Sequence, residues 1–191
     1  MFYRESMRIR RVVGVTATLV VGLLLAACST SGPSLPPAPS PSVTAVFASD
    51  EEALAAAKDA FGTYLAMSDK IAADGGKDPQ RIAPLVTESQ LPDQVASFEY
   101  YTTNKFHIAG SSSIASARLQ QYADVKSIAQ LTVYACVDIA NVRILDQVGR
   151  DVTPAGRQDV VPLQVSFESS TGDRSHLLVS KSSRWSGQDF C

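Results

Sequence analysis

Few side chains in this 191-residue chain could do acid–base or covalent chemistry; it has two histidines and three cysteines. His107 begins a stretch of alternating apolar and polar residues and His176 follows a turn, so both imidazoles are expected at strand ends, screened by water. Asp138 is the one acid embedded in a long apolar strand. It is out of phase with Val137 and Ile139, which predicts that it faces solvent or hydrogen-bonds a loop, outside any enclosed cavity. Most other acids sit at helix starts (Asp50, Glu51, Glu52, Asp78, Asp93) or in turns (Asp151, Asp173), where capping and solvation account for them. Tyr100, Tyr101, Tyr122 and Tyr134 could lend a hydroxyl. There is no G-x-S-x-G, no phosphate-binding loop with its Lys-Ser/Thr, no D-x-D-x-D-G series, and too little His and Cys for a zinc site. No catalytic residue, metal or cofactor is therefore assigned. His107, Asp138 and Trp185 are kept as candidate contacts to a ligand or partner, Trp185 being either a core plug at the end of the sheet or a partner anchor.

The cysteines carry more information. Residues 1–11 hold four arginines against one acid, and 16 uncharged residues follow, fewer than the ~20 that a membrane-spanning helix needs. A basic segment before a short apolar run is the pattern of a secretory signal peptide. The run ends Leu25-Ala26-Ala27-Cys28 and resembles the bacterial lipobox, in which the cysteine receives diacylglycerol and becomes the new N-terminus. Residues 28–48 then read as the lipidated cysteine and a tether: Pro33, Pro36, Pro37, Pro39 and Pro41 among serines favour extended polyproline II over any core. Cys136 and Cys191 remain, and in an exported chain they are expected to form a disulfide. A redox-active pair is the alternative, disfavoured by the wide spacing and the lack of C-x-x-C.

Removing residues 1–27 takes away four of 17 bases and one of 19 acids and leaves a net charge of −5. Such a domain is not drawn to anionic lipid or nucleic acid by charge, so the acyl chains on Cys28 are what would hold it at a bilayer.

Residues 49–191 are expected to fold as one domain. Ser49-Asp50-Glu51-Glu52 reads as a capping box for a helix over about 50–73, with Leu54, Ala57, Phe61, Tyr64, Leu65 and Ile71 at helical spacing and Gly75-Gly76 as its stop. Asp78-Pro79 starts a short helix cut off by Pro84, and Leu91-Pro92-Asp93 starts a third that runs to about Asn104. The period then changes to two. Strands are predicted over 105–118, with a bulge at Gly110, and over 126–139, 142–148, 160–168 and 176–183, with a hairpin loop at 149–156. Helices followed by antiparallel strands indicate an α+β fold with an antiparallel sheet of about five strands.

This order of elements resembles the nuclear transport factor 2-like superfamily, the cystatin-like cone. Cys136-Val137-Asp138 and the ending Trp185-Ser186-Gly187-Gln188-Asp189-Phe190-Cys191 resemble uncharacterised actinobacterial cell-surface lipoproteins. The resemblance implies a helix-filled cone on the outer face of a cell membrane, acting without catalysis on an envelope protein or a small ligand. It also implies an alternative, a ketosteroid-isomerase-like enzyme with Asp138 or His107 as base.

Overall fold

The computed structural model describes residues 45–191; the signal peptide, Cys28 and the tether up to residue 44 lie outside the described residues. Helix α1 (Asp50–Ala73) starts where the capping pattern places it, with Ser49 Oγ accepting from the Glu52 amide at 3.2 Å. The return bond falls one residue earlier than expected: the Glu52 carboxylate accepts from the Ala48 amide at 2.7 Å. Gly75 and Gly76, at φ 72° and 80°, end the helix, and the Gly76 amide bonds back to the Ile71 carbonyl at 2.9 Å.

The next element departs from expectation. Pro79–Leu85 is a 3-10 helix that includes Pro84 and ends one residue after it, and Asp78 takes a left-handed conformation without a side-chain cap. Helix α2 (Leu91–Asn104) follows, with Pro92 in its first turn.

The strands are β1 (His107–Ala109), β2 (Ser113–Val125), β3 (Ile128–Asp138), β4 (Arg143–Leu145), β5 (Val160–Ser169) and β6 (Leu177–Arg184). Four form an antiparallel sheet in the order β2-β3-β5-β6, and β1 pairs with β4 in a separate two-stranded ribbon. The fold is α+β, as read from the sequence. The expected strand over 105–118 is two strands, and Gly110 is a break between sheets and not a bulge within one. Its φ is 90°, and a Cβ there would lie 2.1 Å from the Asn141 carbonyl oxygen. The register shifts of the β2–β3 pair fall instead between Ile114 and Ser116 and between Leu119 and Gln121. The expected strand over 142–148 shortens to three residues, because the Asp146 side chain folds the chain back on itself by accepting the Val148 and Arg150 amides, both at 2.9 Å.

The sheet's inner face is the core. Ala129, Leu131, Val133, Ala135 and Val137 of β3 alternate inward and meet Val165 and Phe167 of β5 and Val179 of β6. Helix α1 lays Ala53, Ala57, Phe61, Tyr64 and Ile71 on them, with Phe61 edge-on to Phe167 at 6.3 Å. Side chains of this size each contribute about 1.5–3 kcal/mol when buried. Among the described residues every buried apolar residue lies between Phe47 and Val179, and Pro41–Cys191 is one compact unit, so this segment carries a core of its own. Among the described residues no helix is long and apolar enough to cross a membrane.

Candidate functional site

The described residues contain no group of three or more His, Cys, Asp or Glu placed to hold a metal ion. His107 and Asp138, the candidate bases picked out by sequence, do not line a common cleft. Asp138 is half-buried on the outer side of β3, where its Oδ1 accepts the Ala140 amide at 2.8 Å and shapes the turn after the strand. His107 is half-buried in β1, in an open cleft of about 540 Å³ shared with Lys77, Lys105 and Gln147. His176 is exposed, 3.5 Å from the Pro84 carbonyl. Tyr122 is structural: its hydroxyl donates to Asp124 at 2.7 Å and accepts the Phe47 amide at 2.9 Å, which ties the start of the domain to β2.

Trp185 is not a core plug. The chain turns back after β6 across the outer face of the sheet, where Trp185 is half-buried and packs with Tyr134 at 4.8 Å, while Phe190 stacks on Tyr134 at 5.1 Å. The Trp185 amide bonds the Pro162 carbonyl at 2.9 Å and its indole N–H donates to the Gln188 carbonyl at 3.0 Å. Cys191 closes the loop by a disulfide to Cys136, with their Cα atoms 5.7 Å apart. Cys136 is buried beneath this tail although it points away from the helices. Strand alternation therefore continues through Cys136, and the tail supplies a second, smaller layer that covers it.

A second, more apolar cleft is one that the sequence reading missed. A cleft of about 460 Å³ opens where α1, α2, the β1–β4 ribbon and the end of β3 meet. Its apolar floor comes from Ala72, Phe98, Ile108, Val137, Ile139 and Val142. The ribbon can reach this place because Gly110 lets β1 leave the line of β2. On the α1 side stand Tyr64, Ser68 and Asp69, and α2 presents Gln94, Ser97, Tyr100 and Tyr101. The Tyr64 hydroxyl donates to Gln94 Oε1 at 2.6 Å. Burial pushes the Tyr64 phenol above its ordinary value, partly offset by Ser68 and Gln94, and the Ser68 oxygen is itself buried without closing a hydrogen bond of proper geometry. Tyr101 is pushed up as well, first by burial and then by the negative charge of Asp69 and by Tyr100. Both rings thus stay protonated, as O–H donors, throughout the neutral range.

Two charged groups complete the lining. Asp69 Oδ2 accepts both the amide and the hydroxyl of Ser112, at 2.7 and 2.9 Å, and pins the start of β2 to α1. Arg157 donates through Nη2 to the Ile139 carbonyl at 2.8 Å, and its nearest acid is the largely exposed Asp159 at 4.0 Å. The Arg157 Nε is buried and has no hydrogen-bond partner. A signal for Asp69 does exist in the sequence: it shares the α1 stripe of Phe61, Leu65 and Ala72, where an acid is out of place. Arg157 lies between the expected hairpin loop at 149–156 and the expected strand at 160–168, and has no such signal.

No protein-family model and no curated protein matches this sequence. Similarity is found among solved structures. The intermembrane space region of the chloroplast protein ARC6 superposes with a TM-score of 0.50 at 6% identity, over 70% of this chain and 97% of that one. The periplasmic domain of DotI gives a TM-score of 0.41 at 12% identity, over 73% of this chain and 96% of that one. At 6% identity the likeness to the ARC6 region is one of fold alone.

Proposed function

We propose that the chain is a membrane-anchored lipoprotein of the cone-shaped nuclear transport factor 2-like group, whose extracytoplasmic domain is a non-enzymatic binding module at the cell envelope. The observation that carries the binding role is the cleft: an apolar floor ringed by a few polar groups, the usual make-up of a small-molecule site. Its best-placed polar groups are already committed to the fold, Asp69 to Ser112 and Tyr64 to Gln94, which suits holding a ligand better than turning one over. The Cys136–Cys191 bond fits an oxidising compartment, and Leu25-Ala26-Ala27-Cys28 supplies the anchor. The fold is one that the ARC6 region uses in an intermembrane space, in keeping with a place outside the cytoplasm.

A second reading, a small-molecule enzyme of the ketosteroid-isomerase kind, gains one observation. An acid and two desolvated phenols line the same cleft, so its base would be Asp69, in place of Asp138 or His107.

The anchor is tested by detergent phase partitioning of the full chain expressed in a bacterium that processes lipoproteins. Wild-type protein is expected in the detergent phase, and Cys28→Ser in the aqueous phase or as uncleaved precursor. Unchanged migration and unchanged partitioning of Cys28→Ser would overturn the lipoprotein reading.

A further inference from the structure

Resting on the binding role proposed above, we infer that the cleft takes one uncharged amphipathic molecule, with an apolar body against the floor of Ile108, Val137, Ile139 and Val142 and a carbonyl or ether oxygen among the donors of Ser68, Tyr101 and Arg157. Size is the first argument. At about 460 Å³ the cleft falls in the range that accepts a single small organic molecule.

Charge is the second. Asp69 and Arg157 line the same cleft with opposite signs. Among the described residues Asp69 has no cationic side chain within 4.0 Å, and Arg157 is answered only from outside the cleft lining, by Asp159 at 4.0 Å and by the charge of Asp151. An anion gains at Arg157 and loses at Asp69, and a cation does the reverse. A neutral molecule meets neither penalty and keeps its burial free energy.

Hydrogen bonding is the third. The groups with capacity to spare here are donors: Arg157 Nε–H is buried with no acceptor, the buried Ser68 hydroxyl has only the Tyr64 phenol beside it and closes no bond of proper geometry, and the Tyr101 phenol stays protonated. A buried donor without an acceptor costs stability, and an acceptor oxygen on the ligand answers that cost. Asp69 offers an acceptor, but its Oδ2 already serves two donors of Ser112.

The probe is prodan, an uncharged naphthyl ketone whose emission reports polarity and hydrogen bonding, titrated into the oxidised segment 41–191. The anionic dye 8-anilinonaphthalene-1-sulfonate serves as the charged counterpart. Prodan is expected to bind at one site with blue-shifted emission, at least tenfold tighter than the sulfonate. Ser97 is an exposed residue at the mouth, so Ser97→Trp covers the cleft and should abolish binding without moving the melting temperature. Ser68→Ala removes one donor and should weaken prodan by about three- to tenfold. Equal or tighter sulfonate binding, prodan binding unaltered by Ser97→Trp, or no prodan binding at all would each overturn the inference. Because this segment lacks Cys28, the titration succeeds or fails independently of the anchoring test.

Discussion

Gly110 and Asp69 show how single residues set up this site. Gly110 lets the chain leave one sheet and enter the other, and the close approach of the Asn141 carbonyl leaves no room for any side chain there. Two penalties add in Gly110→Ala, a left-handed backbone and a contact with rigid backbone. We expect a loss of at least ~2 kcal/mol, or a melting temperature lower by roughly 5 °C or more. Thermal unfolding of the variant measures it, and a change under 1 °C would show that β1 and β2 are not separated by this residue. Asp69 acts by another route. Its carboxylate fixes Ser112, the residue just before β2, so one helical acid both lines the cleft and aligns the strand beside it.

Among the elements, the C-terminal tail has the least core of its own. Residues 185–191 hold on through the bond of the Trp185 amide to the Pro162 carbonyl, the packing of Trp185 and Phe190 on Tyr134, and the disulfide. The bond closes a loop with a sequence separation of 55, for which loop-closure entropy gives about 4 kcal/mol. Cys136→Ser is therefore expected to lower the melting temperature by more than 5 °C and to free the tail, with the Trp185 emission shifting to the red. Reducing the wild-type protein should reproduce both effects. An unchanged spectrum would mean that the aromatic cluster holds the tail without the covalent bond.

For the molecule as a whole, acid is the condition that should loosen it, and it should do so from the loops inward. The carboxyls of Asp146, Asp151 and Asp173 are held below the ordinary aspartate value. Asp146 owes this first to the Arg150 amide, Asp151 to the Thr153 hydroxyl and Asp173 to the Ser175 hydroxyl. A carboxyl with a depressed folded value contributes stability that is present above its unfolded value of about 3.9 and is lost as pH falls through the folded one. NMR titration should show all three titrating below about 3.9. The Val148, Arg150, Thr153 and Ser175 amides should shift with them, while the β3 and β5 amides remain protected. Titration of these aspartates at or above about 3.9 would refute the loop-first order.

Local chemistry determined much of this protein. Ser49 and the Gly75-Gly76 pair bound α1 because a cap and a left-handed stop are properties of a few adjacent residues. The alternation in β3 was legible because one face of that strand is buried along its whole length. The cleft was not legible. It is made where α1, α2, β3, the ribbon and the loop carrying Arg157 converge, and those stretches are up to about 90 residues apart in the chain. Nor could alternation assign Cys136 to a buried outer face, because what covers it is the tail, 50 residues onward. Periodicity reports which face of an element is apolar. Which polar groups end up sharing one low-dielectric space depends on how the elements pack, and only the tertiary structure decides that.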